Sequence, residues 1–142
     1  MTVADVKDKV QRILADALGS VSIDKDGDFH VRDGSAVVFI HVYALDSGVS
    51  MINVYSIALS NVPLTPELYR WVATEGQAFR FGRCMVAEGD NGLGRVMMTH
   101  TLLGDYLDAE ELKWAVFALL STADDLDDQL KARFGGERFI EG

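Results

Sequence analysis

Two runs of alternating residues, 36–45 and 49–59, stand on either side of Asp46-Ser47-Gly48, and this arrangement restricts the fold more than any other feature of the chain. Both runs are rich in β-branched and aromatic residues, which suit a pleated, half-buried strand. A three-residue connection leaves no room for a crossover, so the two strands must be antiparallel neighbours. With Gly48 in the left-handed position, Leu45 falls opposite Val49. That register gathers Val38, Ile40 and Val42 with Ile52, Val54 and Ser56 on one face. The other face collects Phe39, His41, Tyr43, Met51, Asn53 and Tyr55. The first set is a floor for a helix. The second mixes aromatic bodies, a methionine and polar tips, which suits an adaptable contact surface, and equally a face half-buried under a helix or a second copy.

The remaining segments supply the elements around this hairpin. Val3, Val6, Val10, Ile13, Leu14, Ala17 and Leu18 recur at helical spacing, with Thr2 and Asp5 placed as a capping box and Gly19 as a stop. Val21 and Ile23, then Phe29 and Val31, flank the acidic turn 24–28 as a short hairpin, and Asp33-Gly34-Ser35 turns the chain again. Asn61-Val62-Pro63-Leu64 reads as a break in the sheet. Thr65, Pro66 and Glu67 then open a short helix with Leu68, Trp71 and Val72 on its stripe, ending near Gly76. Strands near 79–88 and 95–103 flank Asp90-Asn91-Gly92. Asp108 and Glu111 form a capping-box pattern ahead of the last helix. Its stripe is Leu112, Ala115, Val116, Leu119, Ala123, Leu126, Leu130 and Phe134, and Gly135 and Gly136 end it. The order α-β-β-β-β-α-β-β-α predicts an α+β fold, an antiparallel sheet with three helices, as a single domain over residues 1–142.

Composition narrows the function classes. A net charge of −9 repels phosphate backbones and anionic membrane surfaces, and no basic run offsets it, so neither nucleic acid nor membrane is an expected partner. The N-terminal residues lack the basic start and unbroken apolar stretch of a signal peptide, and no window approaches the roughly 18 apolar residues of a spanning helix. A cytoplasmic protein is expected. The lone Cys84 excludes an intramolecular disulfide.

Chemistry is thinly signalled. Asp24-Lys25-Asp26-Gly27-Asp28 superficially resembles a calcium loop, but counting from Asp24 the sixth and twelfth positions hold Phe29 and Ser35, where such a loop needs glycine and glutamate. It reads as a hairpin turn. The glycine-rich stretch 89–94 lacks the Lys-Ser/Thr of a phosphate loop. His30, His41 and His100 do not have zinc-ligand spacing. Cys84 and His100 fall on neighbouring strands, which raises a thiol–imidazole pair, although one residue of slip would separate them. Asp124, Asp125, Asp127 and Asp128 read as a solvated helix face, or as a surface for a basic partner. No metal or cofactor is expected.

The stretches NVPLTPELYRWVATE and ADDLDDQLKARFGG, together with the element order, resemble the bacterial YbjN-like proteins, a group related in fold to the type III secretion chaperones. The resemblance covers nearly the whole chain. It implies an antiparallel sheet packed with helices, binding of extended or partly folded polypeptide segments, and a tendency to dimerise. The expected function is therefore a non-enzymatic, chaperone-like module for a protein or peptide segment, using the face of Phe39, His41, Tyr43, Met51, Asn53 and Tyr55. The alternatives are a structural or regulatory homodimer buried on that face, and an enzyme using Cys84 and His100.

Overall fold

The computed structural model describes residues 1–19, 21–34 and 36–139. Thr2 opens the first helix, α1 (Val3–Leu18). Its hydroxyl accepts the Asp5 N–H at 3.1 Å, and the Asp5 carboxylate accepts the Thr2 N–H at 3.0 Å, so two donors that the helix leaves unpaired are satisfied reciprocally. Four strands follow, β1 (Ser22–Ile23), β2 (Phe29–Asp33), β3 (Ala36–Ala44) and β4 (Ser50–Pro63). Then come α2 (Pro66–Ala73), a 3-10 turn (Glu75–Gln77), β5 (Arg83–Glu88), β6 (Leu93–Leu103) and α3 (Ala109–Phe134). The strands form one antiparallel sheet, as the sequence predicts, and their order across it is β1-β2-β3-β4-β6-β5.

All three helices send their apolar stripes to one face of this sheet. Val6, Val10 and Leu14 of α1 and Leu112, Val116 and Leu119 of α3 meet Val38, Ile40, Val42, Ile52, Val54 and Met98. A second cluster joins Leu68, Trp71 and Val72 of α2 and Leu126 and Leu130 of α3 to Leu59, Val62, Cys84 and Val96. At a rise of 1.5 Å per residue, α3 is about 39 Å long, and it alone of the helices enters both clusters.

Several boundaries differ from expectation, each for a local reason. β4 does not break at Asn61 but runs to Pro63, with register shifts between Ile57 and Leu59 and between Leu59 and Val62. These bulges absorb the irregular residues, Asn61 at φ +50° among them, and proline is tolerated at the strand's last position. β5 begins at Arg83, because Gly82 at φ +82° turns the chain just before it. Asp108 caps α3 through the Glu110 N–H at 2.8 Å. Among the described residues Glu111 makes no reciprocal bond, so this is a simple cap. In the turn 24–28 the Asp24 carboxylate accepts the N–H groups of Asp26 (2.9 Å) and Asp28 (3.0 Å), which holds the turn closed and gives Asp24 a structural role. Ser35 of the next expected turn lies outside the described residues.

The outer edge of β5 is not left bare. The Gln77 side chain donates to Val72 O at 3.1 Å and to Cys84 O at 3.0 Å, tying the 3-10 turn over the strand.

Candidate functional site

The short loop 46–48 holds β3 and β4 in the expected register, Gly48 at φ +91° and Leu45 N–H donating to Val49 O at 2.9 Å. The sheet face turned away from the helices is then built of cross-strand rungs. Phe39 stands opposite Tyr55, which stands opposite Thr99; His41, Asn53 and Thr101 form the next rung, and Tyr43, Met51 and Leu103 the third. The Phe39 and Tyr55 rings stack with centroids 5.2 Å apart, and His41 stacks on Tyr43 at 5.5 Å. His30 on β2 extends the row, 6.1 Å from Phe39. The structure thus brings all six expected residues together on one face. They are half-buried or exposed, in contrast to the closed packing beneath the helices.

Electrostatically the face is acidic at the turn 24–28, whereas Arg83 and Arg95 lie on its β5–β6 side. Asp28 Oδ1 lies 2.6 Å from His41 Nδ1, which fixes the ring over Tyr43. Burial, with Asp28, Asp24 and Asp26 adding to it, raises the Tyr55 pKa above its ordinary value, so its hydroxyl stays protonated and available to donate. Among the described residues, Asn53 Oδ1 is buried in the face without a hydrogen-bond partner. This gives the face large apolar area, a few polar tips and a margin that is negative beside the turn 24–28 and positive at Arg83 and Arg95.

Sequence reasoning missed half of the surface. Ile57, Met97 and Met85 form a further rung on the same face, Met85 being 42% exposed, and Leu103 is 50% exposed. Their alternation was visible, but the pairing of β6 with β4 was not. A groove of about 750 Å³ was missed as well. It lies beside β2, between the end of α1 and α3, lined by Leu18, Val21, Phe117 and Leu120 with Asp33 and Asp124 at its rim.

Cys84 and His100 do share a face, but it is the helix-covered one, and among the described residues no hydrogen bond joins them. Cys84 is 2% exposed, and burial pushes its thiol up to about 12. His100 Nδ1 accepts the Gly82 N–H at 3.0 Å, which occupies the lone pair a base would need. Burial, then the Arg83 charge, lowers the His100 pKa and keeps it neutral. The Cys84 thiol should therefore be silent to a disulfide reagent in the folded protein at pH 8 and react stoichiometrically once unfolded. The unfolded thiol, near 9.0, ionises before the folded one near 12, so stability should fall as pH rises between those values. Rapid reaction in the native state would contradict this placement.

The aspartates of α3 are not simply a solvated face. Asp127 is buried, Asp128 binds Arg138 at 2.9 Å, and Asp124 lies against the Gly34 turn. A run of acids gives no sign of which member turns inward.

Over residues 4–142 the chain matches TY-Chap1, the family described as T3SS (YopN, CesT) and YbjN peptide-binding chaperone 1. The chain belongs to this family. Among solved structures, this TY-Chap1 chain is similar to the Yersinia pestis type III secretion chaperone SycH in complex with a stable fragment of YscM2. The TM-score is 0.55 and the identity 14%, over 84% of this chain and 98% of that one. YbjN from E. coli gives a TM-score of 0.58 at 14% identity, covering 89% of this chain and 91% of that one. ExsC in the ExsC–ExsE complex gives 0.55 at 20% identity, covering 92% and 97%. These likenesses establish the secretion-chaperone fold for the TY-Chap1 chain. No curated protein matches it. Among the described residues no helix is long and apolar enough to cross a membrane.

Proposed function

We propose that this protein is a non-enzymatic, chaperone-like module that holds a segment of another polypeptide on the open face of its sheet. The observation that carries the reading is the contrast between the two faces. Three helices fill one, whereas the other presents stacked aromatic pairs and methionines that remain accessible. Aromatic and methionine side chains provide large contact area that adapts to different sequences. The membership of a peptide-binding chaperone family supports this, as do two neighbours of the same fold solved with a partner bound. The acidic turn beside Tyr55 favours a basic side chain at that end of the segment, and Arg83 and Arg95 an acidic one at the other.

Site-specific photo-crosslinking tests the location. A benzophenone amino acid at Met51, on the open face, should capture a polypeptide in the native cell; the same group at Gln11, on the exposed side of α1, should not. Equal capture from both positions would remove the face from consideration. Capture of a second copy alone would replace this reading with that of a homodimer closed on the same face.

A further inference from the structure

Beyond Val38 opposite Ser56, β4 continues to Pro63 without β3 beside it. The segment after α3 lies along this stretch. Gly135 and Gly136, at φ +80° and +83°, turn the chain back over the sheet. A Cβ added to Gly136 would fall 2.9 Å from Ser60 O and 3.1 Å from Val62, so only glycine permits so close an approach. Ser60 N–H donates to Glu137 O at 2.7 Å and Glu137 N–H donates to Ser60 O at 2.8 Å, a reciprocal antiparallel pair. Beyond this one pair the chain leaves the ladder, Phe139 lying in a 3-10 turn, and side chains hold it in place. Asn61 Nδ2 donates to Glu137 Oε2 at 3.3 Å, Arg138 Nη1 donates to Asp128 Oδ1 at 2.9 Å, and the Phe139 ring meets Phe39 edge-on at 5.7 Å.

We infer that this half-edge of β4 is a docking site for an extended polypeptide segment, and that residues 137–139 occupy it as an internal competitor which a bound segment displaces. The inference rests on the reading of the open face as polypeptide-binding and adds an address and a chemistry to it. An unpaired strand edge is a template for another strand, and a covering segment blunts it. Here the cover is one ladder pair with side-chain contacts at the surface, reached through two glycines that act as a hinge. Its contacts define the segment the site takes: an acceptor facing Asn61, a cation facing Asp128, and an aromatic ring facing Phe39 at the end of the stacked row. Being tethered, the internal segment competes at an effective concentration on the order of millimolar, which sets how well a partner's segment must fit.

The probe is a fluorescent peptide with the sequence of residues 135–142, titrated against the full chain and against Arg138→Ala/Phe139→Ala. The variant, whose internal segment is held more weakly, should bind the peptide at least about tenfold more tightly than wild type. Its Ser60 amide should exchange at least about tenfold faster, and added peptide should restore protection. A peptide lacking both the arginine and the phenylalanine should do neither. Equal affinity for both proteins, or no binding to the variant at millimolar peptide, overturns the inference. If the double variant melts far below wild type, Glu137→Ala, which removes the side-chain contact to Asn61 and keeps the backbone pair with Ser60, is read by the same two measurements. Failure of crosslinking at Met51 with these results intact would retire the partner reading and leave the docking edge. The reverse pattern would retire only the internal competitor.

Discussion

Leu119→Ala is expected to destabilise the protein by about 2–5 kcal/mol, the cost of deleting a buried leucine side chain into a cavity that neighbours fill only in part. Leu119 is fully buried midway along α3. Its Cδ1 reaches to 3.2 Å of the position a Cβ on Gly82 would take, so it packs against the turn that leads into β5 as well as against the sheet. Collapse around the deletion is limited, because the α3 backbone is fixed at both ends by separate clusters. Urea titration should show a lower midpoint with an unchanged slope, the signature of lost stability rather than an altered unfolded state. The exposed Trp114, on the same helix, serves as comparison. A cost for Leu119→Ala below about 1 kcal/mol would mean that α3 is not the core element described.

Tyr55→Ala should weaken binding of a partner polypeptide by about 2 kcal/mol or more, roughly thirtyfold, since a central aromatic anchor commonly carries that much at a contact surface. Tyr55 lies in the middle strand of the face, stacked on Phe39 and opposite Thr99, so its loss removes ring area and a donor at once. Tyr43→Ala, in the rung with Met51, should act in the same direction and more weakly. The effect on folding should be smaller than the effect on binding, because Tyr55 is only half-buried. Titration of each variant beside wild type, by binding and by sedimentation, with circular-dichroism melts, separates the possibilities. Melts far below wild type would make the face part of the core. Unchanged binding and association would exclude it as the contact surface.

How much of this was legible in the sequence depended on what fixes register. The β3–β4 pairing was readable because three residues ending in Gly48 admit one register, and the side-chain period of two then assigns every residue to a face. The β4–β6 pairing was not, because two bulges in β4 shift the alignment and the turn 90–92 leaves its own length open. Leu103, Met97 and Met85 therefore could not be placed beside Tyr55, although their alternation was visible. Pro63 suggested a break where it ends a strand, since the sequence does not show that β3 is absent alongside it. Gly135-Gly136 read only as a helix stop. That the chain then returns to Ser60 depends on a contact across the fold, which no local pattern encodes.

The tie from Gln77 to the carbonyl of Cys84 bears on stoichiometry. A sheet that accepts a strand at each side can grow without limit, copy upon copy, into a fibre. Here Gln77 of the 3-10 turn already takes the Cys84 carbonyl at one side, and the other side ends in the two-residue β1. If the interior half-edge of β4 takes up a segment as inferred, uptake is saturable at one segment per molecule, and growth of the sheet by copies of the chain is disfavoured at its outer edges.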